Sequence, residues 1–456
     1  MLPVSQPSYP VRAVVHANQP PDVIKAPALA SYTTDQAARQ LLRTSHERGF
    51  KWQDRNRDGV VDIAYAFFTP GNPRAVSNVP KDANELGEQQ KKLARMSMQA
   101  WADVARIKFS QNSASTEGRL TLGLYDGDGE SYASLPFPRN FKKGGEAWLD
   151  KEHAQPKTDR HDRQVMTHEI GHSLGLDHPG DYTQHPAARH YLEDTQAYSL
   201  MSYNPEIRSG QNFSKNGEWT HYPAAPMLHD IAAVQALYGP NYKTRSDNTV
   251  YGFNSNTDRD YYNLTSSRDA PVFCIWDGGG NDTLDCSGFD QKQTLNLNAE
   301  ALSDVGGMTG NVSIAKGVTI ENAIGGAHDD TLIGNNANNR LKGGGGADTL
   351  KGGGGADVFV YDKASDSTVA KADLILDFVS GRDKIDLTGL SKETRTQLQR
   401  VNAYTGRAGD TLVRFNPYSQ RYFVAIDLTG NSQTDFLVKS TQLIRPHDIT
   451  GLITPR

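Results

Sequence analysis

Between residues 325 and 360 the chain repeats itself every nine residues: GGAHDDTLI (325–333), GNNANNRLK (334–342), GGGGADTLK (343–351) and GGGGADVFV (352–360). So strict a period leaves few folds open. Glycines let the backbone turn sharply and aim its carbonyls at one point. The aspartate at the sixth position brings charge to that point, and the eighth position (Leu332, Leu341, Leu350, Phe359) supplies one apolar side chain per turn. This is the pattern GGxGxDxUx, whose copies stack as a parallel β-roll with calcium in the turns. A coil this thin buries little apolar area, and the cation replaces it. The candidate calcium ligands are Gly325, Ala327 and Asp330; Gly343, Gly345 and Asp348; and Gly352, Gly354 and Asp357. Two copies are imperfect, His328 standing for a glycine and Asn339 for the aspartate, so fewer or weaker sites are expected than in a long array. An earlier copy, DGGGNDTLD (277–285), adds Asp277, Gly279, Gly280 and Asp282. A flexible linker can be as rich in glycine, but it would not keep an apolar residue at every eighth position.

A roll occupies only part of 456 residues, so at least one further domain with its own core is expected. Mean hydropathy is −0.61 and no run approaches the ~18 apolar residues of a membrane helix, which argues against membrane insertion. Net charge is −5 with no basic stripe interleaved with aromatics, so nucleic acid is not an expected partner. The two cysteines, Cys274 and Cys286, flank WDGGGNDTLD. They are either a disulfide across neighbouring strands or two buried thiols, and the spacing leaves both open.

Residues 1–31 are proline-rich, polar and without periodicity, and read as an extended arm or removable leader. They lack the 7–15-residue apolar core of a secretory signal peptide. A helix is expected from SYTTDQAARQLLR, capped by Thr34 or Asp35 with Ala38, Leu41 and Leu42 inward. DRNRDGVVDIAYAFFT is a turn followed by a strand. Its Asp54, Asn56, Asp58 and Asp62 have calcium-loop spacing, but Tyr65 stands where the bidentate glutamate belongs, and a solvated turn is expected. Leu93, Met96, Ala100, Trp101 and Val104 give the stretch from Asn84 to Val104 a helical face. RIKFS, GRLTLGLYD and GESYASLPFPR read as strands. Two more helices follow, at about 163–174 and in PMLHDIAAVQALYG, the second with Ile231, Val234, Leu237 and Tyr238 inward and a stop at Gly239–Pro240. The domain boundary is expected there, giving 32–240 and 241–456.

The segment HEIGHSLGLDH (168–178) carries the chemistry. Residues four apart share a helix face, so His168 and His172 can grip one ion while Glu169 sits beside them without binding it. Gly175 allows a left-handed exit, and the chain doubles back to deliver His178. Three neutral imidazoles with one open position describe catalytic zinc, whereas structural zinc sites are closed and usually rich in thiolate. Glu169 would then take a proton from the attacking water and pass it to the leaving amine. Chance produces HExxH in about one chain of this length in a hundred, and the added glycine and histidine lower that by on the order of 10³. The remaining histidines, His161, His185, His190 and His229, show no such spacing and read as ordinary surface or core residues.

Downstream, YSLMSYN completes the signature HExxHxxGxxH followed by a methionine turn. With PGDY after His178, Ser202–Tyr203 after Met201, and the glycine-rich repeats, the chain resembles the serralysins, secreted bacterial zinc proteases. The resemblance covers residues 31–445. It implies an α+β metzincin catalytic domain, with a mixed sheet and a long active-site helix, followed by an all-β parallel β-roll domain. It makes Met201 the floor beneath the zinc and Tyr203 a further ligand that can swing away to bind the oxyanion. It places Tyr132, Ala133, Ser134 and Leu135 on the edge strand that pairs with the substrate backbone, hence broad specificity on proteins and peptides. Arg245, Asp247 and Thr249 become a further calcium site, although the usual R-x-G-D-T is altered here to RSDNT. The expected cofactors are one catalytic zinc and several structural calcium ions.

The same resemblance implies a secreted, monomeric protein exported by a type I apparatus that reads an uncleaved C-terminal signal. The end HDITGLITPR departs from the family's Asp-plus-aliphatic ending. A short propeptide removed after export matches the leader; no cysteine precedes Cys274, which excludes a cysteine switch, and His16 or Asp22 are left as candidates to cap the metal. A small protein inhibitor that plugs the cleft is a further implication. The rival reading is a secreted calcium-dependent adhesion or toxin module whose zinc site is silent.

Overall fold

A computed structural model describes residues 29–71, 79–115, 117–136, 145–154, 161–180, 182, 188–218 and 221–454. Most of the 1–31 arm, with His16 and Asp22, and also His185, lie outside the described residues. The chain divides into two compact units. One comprises residues up to Gln211 together with His221–Asn241, and the other Asn212–Thr220 together with Tyr242 onward.

The first unit is built on a five-stranded mixed sheet. Its strands are β1 (Val61–Phe67), β2 (Ile107–Gln111), β3 (Gly118–Tyr125), β4 (Tyr132–Ala133) and β5 (Gly145–Asp150), in the order β2-β1-β3-β5-β4. All pairings are parallel except β4 on β5, where Tyr132 faces Trp148 and Ala133 faces Ala147. That reversal makes β4 the edge. Strand β5 went unread in the sequence because Glu146 and Asp150 interrupt its apolar run, yet all six residues are buried. The Asp150 carboxylate accepts from the amides of Gly127 and Glu152, and Glu146 accepts from the Trp148 indole.

Helices α1 (Thr34–Leu41), α2 (Arg43–Arg48), α3 (Glu88–Val104), α4 (His161–Ser173) and α5 (Leu228–Tyr238) complete the unit. Thr33, one residue earlier than expected, caps α1 in a reciprocal box with Gln36. On α3 the buried face runs through Ala94, Ser97, Met98 and Trp101 rather than Leu93 and Met96. The reason is polar: Thr167 of α4 donates its hydroxyl to Ser97 Oγ at 2.8 Å, and the Trp101 indole donates to the Thr167 carbonyl at 3.0 Å. The Asp54–Gly59 turn is largely exposed and closed by its own groups, Asp54 accepting from the amides of Asp58 and Gly59.

The second unit is a two-sided roll. One side is an eight-stranded, wholly parallel sheet that includes 283–285, 322–324, 340–342, 358–360 and 384–386. The other contains 294–296, 331–333, 349–351 and 374–375 in parallel, then turns antiparallel through 436–440, 421–427 and 410–416. Successive repeats alternate sides: Leu332 pairs with Leu350, and Leu341 with Phe359. One turn of the roll is therefore two repeats, and these four side chains, all at 0% exposure, form its core. The all-β parallel roll is as expected, and the antiparallel strands that close one of its sides were not foreseen. Cys274 and Cys286 are both buried and are not joined in a disulfide.

Candidate active site

Helix α4 is polar yet buried on almost every face, a combination that costs free energy unless its polar groups have work to do. Its end is pinned from two directions: the Trp52 indole donates to the Ser173 carbonyl at 2.9 Å, and Tyr238 Oη to the Leu174 carbonyl at 2.7 Å. Gly175 then adopts φ +107°, where a Cβ would strike the Phe50 carbonyl, and the chain reverses toward His178.

The reversal brings three imidazoles to one point. The Nε2 atoms of His168, His172 and His178 lie 3.0–3.1 Å from one another. His168 Nδ1 lies 2.9 Å from the Leu200 carbonyl and His172 Nδ1 2.7 Å from the Leu176 carbonyl. A carbonyl only accepts, so both Nδ1 atoms carry the proton and both Nε2 lone pairs point inward. Nitrogens bound to one tetrahedral zinc at 2.0–2.1 Å would stand about 3.3 Å apart, so the triangle fits such an ion with slight expansion. Among the described residues it is also the one cluster of three or more His, Cys, Asp or Glu groups that could hold a metal. Burial lowers the His168 pKa to about 3 and that of His178 well below its usual value, neighbouring imidazoles adding to the effect. The neutral, ligating form is therefore favoured.

Glu169 is 3% exposed, and among the described residues its Oε2 has no hydrogen-bond partner. Burial raises its pKa to about 8; a cation beside it would pull that value down toward the range of a working base. The Tyr203 ring lies 4.5 Å from the ring of His178 and 5.6 Å from that of His168, and is stacked on Tyr182 at 4.9 Å. Burial, then the charge of Glu169, holds its phenol above the ordinary range and so protonated. Met201 is fully buried against Gly171, where a Cβ would come within 2.7 Å of its sulfur. Tyr132 and Ala133 sit half-buried on the edge strand; Ser134 continues the pairing, its amide donating to the Glu146 carbonyl, and Leu135 follows half-buried.

Two groups that support this site escaped the sequence reading. Asp230, at 0% exposure, accepts from Ser199 Oγ and from the amides of Leu200 and Met227, so it fixes the turn that carries Met201. Asp194, equally buried, accepts from Tyr182 Oη at 2.6 Å and Ser202 Oγ at 2.7 Å, which steadies the ring beneath Tyr203. For Asp230 the only local signal was an acidic residue inside an otherwise apolar stretch, and Asp194, within LEDTQ, had not even that.

In the roll, Asp348 and Asp357 each have one carboxylate oxygen on a backbone amide and a second, Oδ2, buried without a partner among the described residues, while Asp282, with Oδ1 on the Thr249 amide, lies against the Asp277 carboxylate. Gly343 and Gly352 make room for those oxygens, since a Cβ at either would collide with the carboxylate five residues on. Gly325 does the same for Asp330, whose oxygens accept from Gln293 and Gly326. Ala327 lies under Gly345, and Gly354 against Asn336. In the earlier copy, Gly279 donates to Asp277, and Gly280 packs on the Asp247 carbonyl and Asp282. Thr249 donates its amide to Asp282 and its hydroxyl to the Asp247 carbonyl, while Arg245 donates to the Trp276 carbonyl. Orphaned buried oxygens of this kind suit a cation. Asp373 is fully buried beside them, but its carboxylate is already engaged, Oδ1 by the Asp348 amide and the group as a whole by the Tyr361 phenol. Asn339 satisfies its turn with amide hydrogen bonds to Glu321 and Asn335.

Fold and site together define a zinc metalloendopeptidase of the matrixin class. A family model described as matrixin, of peptidase family M10, matches residues 75–188, and one described as the M10 serralysin C-terminal domain matches residues 240–450. The chain is 49% identical over 431 residues to the metalloprotease AprA of Pseudomonas entomophila, covering 90% of this chain and 88% of that one. It is 42% identical to serralysin of Photorhabdus laumondii, covering 88% of each, and 42% identical to serralysin C of Dickeya chrysanthemi, covering 90% and 88%. The chain belongs to the serralysin family.

Proposed function

We propose that this metalloprotease is a secreted, calcium-stabilised endopeptidase of broad specificity, with residues 32–240 catalytic, 241–456 a calcium-binding roll ending in a type I export signal, and 1–31 a removable leader. The observation that carries the catalytic reading is the convergence of three Nε2 atoms at 3.0–3.1 Å beside a buried, unpartnered Glu169 Oε2. His168, His172 and His178 hold the zinc, which when bound polarises the scissile carbonyl and acidifies a water. Glu169 Oε2 accepts the proton of the attacking water and returns it to the leaving amine. Tyr203 Oη, kept protonated, donates to the oxyanion. The substrate backbone pairs with β4, and main-chain pairing reads few side chains, which is the ground for broad specificity. The partners are thus protein and peptide substrates, with the export apparatus and a small protein inhibitor carried over from the family resemblance.

Casein hydrolysis with zinc and millimolar calcium tests the assignment when Glu169→Ala is run alongside and zinc content is measured in both. Wild type should cleave, and the variant should retain zinc with turnover lost. Activity in Glu169→Ala would remove Glu169 from the mechanism.

A further inference from the structure

The three histidines are not held alike. His168 and His172 stand on α4 and have their Nδ1 atoms tied to carbonyls, whereas His178 lies beyond the helix, and among the described residues no hydrogen bond reaches its Nδ1. Its placement depends on its backbone. That backbone is gripped from a distant part of the sequence, the elbow where α1 meets α2. Gln40 Nε2 donates to the Pro179 carbonyl at 2.9 Å, the Asp177 amide to the Leu41 carbonyl at 2.7 Å, and the Thr44 amide to Asp177 Oδ2 at 2.8 Å. Ser45 Oγ donates to the Gly175 carbonyl at 2.5 Å. At the centre, Arg43 Nη1 donates to the carbonyl of His178 itself at 2.5 Å and to that of Gln40 at 3.0 Å, while Nη2 reaches the Gly180 carbonyl at 3.5 Å.

One rigid guanidinium therefore bridges the elbow to the third ligand and to the residue two beyond it. A charged, planar donor fixes direction as well as distance.

We propose that Arg43 is a positioning residue for the metal: its guanidinium locks the backbone of His178, so that the third imidazole is preorganised and zinc is retained. The proposal rests on the zinc reading above. Outer contacts that orient a ligand typically change metal affinity by about 10–100-fold when removed, and Arg43 acts on the ligand with the fewest other restraints.

The test measures zinc affinity by chelator competition in full-length protein for wild type, Arg43→Ala, Arg43→Lys and His178→Ala, with Leu86→Ala as a fold-destabilising control, Leu86 being a core side chain 1% exposed that takes no part in the clamp. Arg43→Ala should bind zinc about 10–100-fold more weakly, show reduced kcat with little change in KM, and regain kcat in excess zinc. Arg43→Lys, which keeps one cationic donor, should fall between, and serves alone if the alanine variant does not fold. Leu86→Ala should melt earlier with zinc affinity unchanged. Wild-type affinity in folded Arg43→Ala, or an equal loss in Leu86→Ala, overturns the proposal while leaving the zinc site standing. Wild-type affinity in His178→Ala overturns the zinc reading and the proposal with it.

Discussion

At the scale of single residues, Tyr203 separates the chemistry most sharply from the scaffold. Its ring lies against the imidazoles of His178 and His168, and its phenol stays protonated through burial and the nearby Glu169 charge. A hydroxyl kept neutral is a donor when negative charge develops. Tyr203→Phe keeps the ring and removes that donor, so kcat should fall by about 10²–10³ with KM nearly constant; steady-state kinetics on a fluorogenic peptide, with zinc content checked, reads this. An unchanged kcat would reduce Tyr203 to packing. The histidines and Glu169 were legible because an eleven-residue segment contains them: helical periodicity sets His168, Glu169 and His172, and Gly175 marks the reversal that returns His178. Asp230 and Arg43 were not, for their partners lie 30 and 135 residues away along the chain, and no local pattern marks a residue whose role arises only on folding.

At the scale of elements, α4 and the methionine turn meet in close contact at Gly171. Gly171 lies inside the helix, where alanine would gain about 1 kcal/mol of helix propensity. Its Cβ, however, would come within 2.7 Å of Met201 Sδ and 2.9 Å of Trp101 Cζ2, and the indole is fixed by its bond to Thr167. Overpacking costs about 1–3 kcal/mol, so it should outweigh the propensity gain. Gly171→Ala is expected to lower the urea midpoint and reduce activity together; a more stable, fully active variant would show that the methionine side chain yields freely. The same joint explains the misread face of α3. Hydrophobicity selects Leu93 and Met96, but the hydrogen bonds of Ser97 and Trp101 to Thr167 rotate the helix toward Ala94 and Met98. The repeat strands were legible because an apolar residue recurs at every eighth position, whereas the antiparallel strands at 410–440 carry no period to announce them.

At the scale of the whole molecule, the roll confines carboxylates that cannot all ionise without a cation. Burial raises Asp373 to about 9, Asp348 and Asp282 to about 7, and Asp330 and Asp357 to about 6. These values exceed the ~3.9 of an unfolded aspartate, so the folded state binds more protons. The stability they contribute is full below about pH 4 and is lost as pH rises through 6 to 9. Calcium bound as proposed would invert the sign, because it would hold the ionised oxygens and compete with protons. In calcium-free buffer the melting temperature of the full chain, followed by the β signal in circular dichroism, should fall between pH 5 and pH 8. In millimolar calcium it should rise over the same interval, with protons released on binding at pH 6–7. A melting temperature that falls with pH in both buffers would mean that the orphaned oxygens of Asp348 and Asp357 are not calcium ligands. If the two slopes do oppose, a chain near neutral pH without calcium has its roll at the weak end of both scales. It can then remain unfolded until it meets the cation.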